Sequence, residues 1–423
     1  MGFMKMPDTL NKVLVIGGGA AGMMAAIAAA EAGAPVTLLE RNEKVGRKLN
    51  ITGKGRCNLT NDCTAQEALA QVPCNSRFLF SAFSRFDCRA AMDFFQRHGL
   101  ALKTERGNRV FPVSDSAYDV TDTLRHALQK HHVQIVHDRV LQLLFADTGA
   151  VCGAAGEKSR YFGTCVILAT GGISYPATGS TGDGYAMAAR AGHTIITPKA
   201  SLISLVCSDD CCGRMQGLSL RNVALTVKNQ KGKTIYTDFG EMLFTDKGVS
   251  GPIILSASAH CRNYEKEAYH LWIDLKPALD EKQLDARILR DLEAQQNKDI
   301  VNVLAGLLPR SMIPVVLERT GIPAHTKVHS VTRQQRRALL ETMKHFSLTV
   351  VGPGPIEQAI VTSGGVKTSE IDPATMASKK APGLYFAGEL IDVDAYTGGF
   401  NLQIAWATGH AAGVAAAMAC QNL

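Results

Sequence analysis

Residues 12–40, KVLVIGGGAAGMMAAIAAAEAGAPVTLLE, admit few folds. Val13–Ile16 is an unbroken apolar run, the pattern of a central parallel strand covered on both faces. Three glycines follow, then an alanine-rich run, then a second apolar segment ending at Glu40. Strand, tight turn, helix and strand in that order make a βαβ unit. Gly17, Gly19 and Gly22 stand as G-x-G-x-x-G at the strand-to-helix junction. Gly17 permits the sharp turn, Gly19 lets the backbone approach a pyrophosphate, and Gly22 lets the helix lie close to the sheet. The amides of Ala20 and Ala21 open the helix and face the phosphates with the positive end of its dipole. Glu40 is placed to accept the hydroxyls of an adenosine ribose. An acid there favours a ribose without a 2′-phosphate, as in FAD or NAD.

Two distant segments bear on which dinucleotide is held. VILATGGISYPATGSTGDGYAMAARAG starts as a buried strand, breaks at Ala169-Thr170-Gly171-Gly172, and resumes as a glycine-bearing loop before another alanine-rich helix. Near the C-terminus, GLYFAGELIDVDAYTGGFNLQIAWATGHAAGVAAA reads as strand, loop, glycine pair and small-residue helix. Gly388-Glu389 and the run Gly399 to Gln403 resemble the C-terminal element of two-dinucleotide-fold flavoproteins. In that element an acid meets the ribityl or phosphate region and a helix N-terminus faces the flavin's pyrimidine edge. A third segment, LNITGKGRCNLTN at 49–61, has neither helical nor strand periodicity and reads as a cationic, glycine-rich loop. Following the second strand, it approaches a cofactor from the carboxyl edge of the sheet, with Lys48, Gly53, Gly55 and Arg56 along it.

Taken together the chain resembles the HI0933-like flavoproteins, which include BaiN-type and aminoacetone-oxidase-type proteins. The matching residues are Arg47-Lys48, Thr52 to Asn58, Tyr175-Pro176 with Thr178-Gly179, LFTDKGVSGPIILSAS at 243–258 and TSGGV at 362–366. Asp246 stands where many members carry histidine. More distantly, ATGG followed by T-G-D-G resembles the fumarate reductase and aspartate oxidase flavoproteins. The resemblance implies an α/β fold: a Rossmann-like FAD-binding domain made from both chain ends and interrupted by an inserted lobe. It implies FAD held by Gly17, Gly19, Ala20, Ala21, Gly22, Glu40, Arg41, Arg47, Lys48, Gly53, Gly55, Arg56, Cys57 and Asn58. Later in the chain the same reading takes Val140, Ala169, Thr170, Gly171, Gly388, Glu389, Asp392, Gly399, Asn401, Leu402 and Gln403.

The insert is also visible in the pattern. Segments such as VALTVKNQKGKTIY read as hairpins, whereas DEKQLDARILRDLEAQ and TRQQRRALLETMKHF read as amphipathic helices capped by Asp280 and Thr332. The division expected is 1–192 and 352–423 for the FAD domain, 193–276 for a β-barrel-like part and 277–351 for a helical part. A formal net charge of +7 on 423 residues suits an anionic cofactor or substrate and does not by itself mean nucleic acid. The basic run Arg333 to Arg337 keeps an RNA-modifying or RNA-binding flavoprotein as the alternative function.

Eleven cysteines without an even framework argue for a reducing compartment. Cys207, Cys211 and Cys212 lack C-x-x-C spacing and a nearby histidine, so no metal site is expected. Cys57 and Cys63 are C-x5-C, one residue longer than the redox pair of disulfide reductases, and no second G-x-G-x-x-G for NADPH follows. Candidate catalytic residues are Cys57, Tyr175 and His325. The run from Val13 to Leu39 is broken by glycines, Glu31 and Pro35 and is preceded by Asp8, unlike a membrane span or signal sequence. The expectation is a cytoplasmic oxidoreductase, off the membrane. It takes a small-molecule substrate between the FAD domain and the insert, with hydride transfer at flavin N5 and NAD(P)H, bound transiently, or O2 as redox partner.

Overall fold

The computed structural model describes residues 11–421; the acidic flank read at Asp8 lies outside them. The chain divides into two compact units, one running up to Ser201 and resuming at Ile356, the other Leu202–Pro355.

The first unit is built on five parallel strands: β1 (Val13–Ile16), β2 (Val36–Glu40), β3 (Gln134–His137), β4 (Cys165–Leu168) and β5 (Leu384–Phe386). Their order across the sheet is β5-β4-β1-β2-β3, with Val13 opposite Val36 on one side and Cys165 on the other. Every residue of β1, β2, β4 and β5 is buried, which is why these strands are apolar without alternation. Two three-stranded antiparallel sheets attach to this frame. One consists of Val140–Phe145, Val151–Gly156 and Arg160–Phe162; the other of Thr60–Asn61, Leu102–Glu105 and Arg109–Pro112. Their strands are short and flanked by ordinary turns, so they leave little periodic trace in the sequence.

Helix α1 (Ala20–Glu31) joins β1 to β2, and helix α2 (Phe400–Gln421) closes the chain. Both are buried on most of their circumference and consist largely of alanine and glycine. Small side chains let the two backbones approach. A methyl group on Gly409 would stand 2.5 Å from the Ala21 carbonyl oxygen, and one on Gly413 2.3 Å from that of Ala25. Trp406 anchors the other side of α2, fully buried with its indole N–H donating to the Leu59 carbonyl at 2.8 Å.

The second unit holds a closed six-stranded barrel in the order Leu205–Cys207, Gly248–Ser250, Thr234–Phe244, Ser219–Asn229, Tyr269–Asp274, Phe346–Pro353. Helices Glu281–Glu293, Ile313–Thr320 and Arg333–Lys344 pack in the same unit. Asp280 and Thr332 cap two of them in reciprocal boxes with Gln283 and Gln335. The division from the first unit falls after Ser201 rather than at His193. Ile195–Ser201 pairs antiparallel with Val361–Val366, and both belong to the first unit. No helix among the described residues is long and apolar enough to cross a membrane.

The α1–α2 approach makes a stability prediction. Gly413→Leu forces the helices apart and costs about 1–3 kcal/mol as an overpacked core site. Gly306→Ala, whose added methyl meets nothing within 4 Å, serves as the neutral control. Urea unfolding of the two variants against the parent chain checks the difference.

Candidate cofactor site

At the end of β1 the chain reverses through Gly17, whose φ of +107° an L side chain rarely adopts. Its N–H donates to the Leu39 carbonyl at 2.8 Å, and the Gly18 N–H donates to Glu40 Oε2 at 2.6 Å. The turn is therefore tied to the end of β2 before α1 begins. Gly22 is packed against the turn: a methyl there would lie 1.8 Å from the Gly17 carbonyl oxygen. Gly19 differs, with nothing within 4 Å of an added methyl. No side chain caps α1 and its first turn carries no acid. The first intrahelical bond runs from the Met23 amide to the Gly19 carbonyl, so the amides of Ala20, Ala21 and Gly22 lack helical partners. Open space, free donors and a positive helix end coincide at Gly19, as a pyrophosphate requires.

Glu40 is buried, and Asn42 donates to its Oε1 twice, from the backbone at 2.8 Å and the side chain at 2.7 Å. With Gly18 on Oε2, three of the carboxylate's roughly four acceptor positions are engaged and one remains open. Arg47 donates to Asn42 Oδ1 at 2.8 Å. Arg41 is turned toward Thr181 Oγ1 at 2.6 Å and Asp183 at 3.2 Å, and Arg139 shares that carboxylate. Its charge is thus neutralised locally. Val140 is buried where its strand begins, opposite Gly156.

Lys48 joins the two ends of the chain. Its Nζ donates to Glu389 Oε2 and to Ser174 Oγ, each at 2.6 Å, across 341 residues of sequence in the first case. Glu389 Oε1 accepts from the Thr362 amide at 2.7 Å and from Ser174 Oγ at 2.9 Å. Burial pushes the Glu389 carboxyl up, but Lys48 and these hydrogen bonds outweigh it and hold the group below the usual carboxylate range. The carboxylate is thereby kept ionised in a sheltered position. Thr362 Oγ1 in turn accepts from the amides of Ile173 and Ser174. Ser174 and Thr362 were not singled out as site residues, although Thr362 opens the TSGGV segment; hydroxyls give no periodicity or charge to notice.

Helix α2 also opens without an intrahelical partner for Phe400, Asn401 and Leu402, the first bond being from the Gln403 amide to Gly399. Gly399 is required by the close approach of Thr60, whose carbonyl oxygen would lie 2.3 Å from a methyl there. Gly388 donates to Thr408 Oγ1 at 2.9 Å, and Asp392 Oδ2 accepts from Asn75 at 3.0 Å. Asn401 ties the Ala395 amide and carbonyl at 2.9 and 2.7 Å. Leu402 is half-buried. The Gln403 side chain is fully buried, accepting from Thr60 at 2.7 Å and donating to the Phe86 carbonyl at 2.9 Å. Both ends are spent on the fold.

In the loop after β2, Gly53, Lys54, Gly55 and Cys57 all have positive φ, and a methyl on Gly55 meets nothing within 4 Å. Arg56 has its charge engaged within the fold. Its guanidinium stacks 4.3 Å from the Phe111 ring centroid and pairs with Glu105 and Asp115, which Lys103 also joins. It clamps the loop to the neighbouring sheet instead of offering free charge. Cys57 is fully buried, and burial pushes its thiol up to about 12 despite a hydrogen bond with Thr52. Cys63 interacts with Cys88 and is likewise pushed up to about 12, first by burial. All described cysteines are free thiols. Tyr175 is half-buried with φ 52°, an uncommon conformation for an aromatic residue, and its ring centroid lies 6.0 Å from Lys48 Nζ. His325 sits in the second unit, 87% exposed and paired with Asp299 at 3.2 Å.

Among the described residues two buried side-chain oxygens have no hydrogen-bond partner: Asn58 Oδ1 in this loop, and Thr170 Oγ1 just after β4, where Ala169 continues the strand and Gly171 turns at φ +74°. Buried polar atoms are seldom left so. They fit a long polar ligand lying along the carboxyl ends of β1, β2 and β4, with phosphates at α1. The parallel sheet, glycine turn, acid at the end of β2 and C-terminal glycine-opened helix together define an FAD-dependent oxidoreductase. The profile of the HI0933-like protein Rossmann domain matches residues 11–415, and the chain belongs to that family.

The chain is 34% identical over 413 residues, 96% of its length and 99% of the other, to a 3-dehydro-bile acid Δ4,6-reductase of Clostridium scindens. It is 30% identical over 404 residues, 94% of its length and 96% of the other, to a ribosomal RNA dihydrouridine synthase of Escherichia coli. In fold it is similar to a 3-ketosteroid Δ4-(5α)-dehydrogenase from Rhodococcus jostii, with TM-score 0.50 at 17% identity and 96% of both chains covered.

Two outcomes test the site. Gly19→Val places its side chain in open space, so the protein folds but is purified without yellow colour; Gly22→Val, driven into the Gly17 carbonyl, fails to fold. Absorbance and circular dichroism separate the two. Native Cys57, held as a thiol, resists iodoacetamide at pH 8 while denatured protein is alkylated at that position, as peptide mass mapping reads out.

Proposed function

We propose that this chain reduces a carbon–carbon double bond conjugated to a carbonyl. The observation that carries the reading is the full-length similarity to two reductases whose named substrates share that chemistry. A 3-dehydro Δ4,6 steroid and the uracil ring both conjugate an alkene to a carbonyl. Reduction of such an alkene adds hydride at the conjugated electrophilic carbon, the β carbon of a simple enone, and a proton at the carbon α to the carbonyl.

FAD held here and reduced by NADH or NADPH would supply a hydride from its N5 atom. The chain's own residues hold, orient and protonate. The amides of Ala20, Ala21 and Gly22 take the pyrophosphate, and Glu40 with its one open acceptor position takes an adenosine ribose hydroxyl. Lys48 and Glu389, fixed together with Ser174, form a net-neutral ion pair in the same region; the amides of Phe400, Asn401 and Leu402 set the positive end of α2 there. Such preset donors favour the anionic form of a reduced cofactor. Tyr175, strained and beside Lys48, is assigned the proton delivered to the α carbon. Cys57 has no place in this chemistry, since its thiolate is disfavoured by burial.

A small enone is favoured over ribosomal RNA as substrate by the basic run at 333–337. Arg336 is paired with Asp285 and Arg337 with Glu341, both at 2.9 Å, leaving little free charge for phosphates. NADH or NADPH serves as the reductant in this reading.

The test is anaerobic reduction by NADH or NADPH followed by mixing with a 3-keto-4-ene steroid, a short ribosomal RNA transcript, or O2, monitored by flavin absorbance. The enone is expected to reoxidise the protein fastest. Reoxidation by O2 alone overturns the reading, and a preference for the transcript replaces the substrate class. Tyr175→Phe should slow enone reduction about 10²–10⁴-fold with colour and cofactor content unchanged.

A further inference from the structure

The far end of α1 gathers a second set of ligating atoms. Glu31 is the last residue of α1; His98 caps the C-terminus of the helix Cys88–Arg97, and His131 that of the helix Ala117–Lys130. One carboxylate oxygen and one ring nitrogen from each histidine lie within 4.8 Å of one another. We propose that these three residues bind a divalent transition-metal cation such as Zn(II), with water completing its coordination.

Several features favour it. His131 Nε2 lies 3.4 Å from Glu31 Oε1. Two ligands of a tetrahedral zinc, each about 2.0–2.2 Å from the metal, stand about 3.3–3.5 Å apart. The remaining spacing closes by side-chain adjustment, because Glu31 is exposed and both histidines are half-buried. His98 Nδ1 lies 2.9 Å from the Phe94 carbonyl oxygen. A carbonyl only accepts, so Nδ1 carries the hydrogen and Nε2 keeps its lone pair. Metal-bound histidines are oriented by this same kind of second bond.

The site also lies where three helices end, and each helix C-terminus contributes partial negative charge that favours a cation. Arg97 and Lys130 precede the histidines and oppose a cation, but both are exposed, where water screens them. Two nitrogens and one carboxylate suit Zn(II), Co(II) or Ni(II) better than Mg(II) or Ca(II), which prefer oxygen. The metal would tie together Glu31, His98 and His131, separated by 67 and 33 residues along the chain, at about 17 Å along α1 from the pyrophosphate end. The site is thus independent of the flavin chemistry.

The test uses the untagged, FAD-loaded full chain, stripped with chelator. Isothermal titration with Zn(II) should show one saturable site, and Zn(II) but not Mg(II) should raise the thermal midpoint. Because the chain carries free thiols, Co(II) is the second probe: nitrogen and oxygen ligation gives d–d absorption to the red of the flavin without thiolate charge transfer in the near ultraviolet. His98→Ala and His131→Ala should each weaken binding about 100-fold or more while leaving flavin absorbance unchanged. No saturable binding overturns the proposal. So does binding that is unaffected in both variants, or that shows thiolate charge transfer.

Discussion

Most of the first unit depends on how closely α1 and α2 approach. The βαβ turn brings the N-terminus of α1 to the carboxyl end of the sheet, as any such unit does. A second helix can be added there only if its backbone reaches that of α1 without side chains between them. Gly409 and Gly413 meet the carbonyls of Ala21 and Ala25 at distances no side chain tolerates. In return, β5 and the glycine-opened start of α2 are carried to the sheet edge where α1 begins. The seam buries little area per residue, since alanine and glycine have little to bury. Its hold comes from dense backbone packing, with Trp406 and the long apolar strands supplying the hydrophobic burial.

Polar and ionic side chains then finish what packing begins, and they sort by how sheltered their partnerships are. Arg41, Arg56 and Gln403 have their polar ends occupied by Asp183, by Glu105 with Asp115, and by Thr60 with Phe86. Lys48 and Glu389 are different. They pair in a sheltered position where either alone would be costly, and removing one leaves an uncompensated charge. A pair of that kind is kept for where it puts charge more than for net stability.

The sequence made the strand, turn and helix at 13–40 legible because buried parallel strands and glycine spacing leave a one-dimensional trace. The joint occurrence of the ATGG break and the TGGF helix start was legible for the same reason. Which cations were available was not. Arg56 reads as a phosphate ligand in a glycine-rich loop until Glu105 and Asp115, over forty residues away, are brought to it by an antiparallel sheet too short to detect. Gln403 likewise sits one residue beyond the free amides of α2, and only tertiary packing shows that its amide is consumed. Ser174 and Thr362 carry no pattern at all. That Ile195–Ser201 pairs with Val361–Val366 is likewise not legible, because a strand's partner is not written beside it.

The reading of Cys57 shows how burial decides chemistry that residue type leaves open. A cysteine in a cationic, glycine-rich loop has the neighbours that activate thiols. Lys54 and Arg56 flank it closely in sequence, and a thiolate beside them would be reactive in water. In the fold Arg56 turns outward to its carboxylates, and Cys57, at positive φ, turns inward to Thr52 and the core. The cation and the thiol are adjacent in sequence and opposite in direction. Desolvation then disfavours the thiolate with no charge near enough to offset it, and the same left-handed step that buries Cys57 leads to Asn58, whose side-chain oxygen is buried without a hydrogen-bond partner.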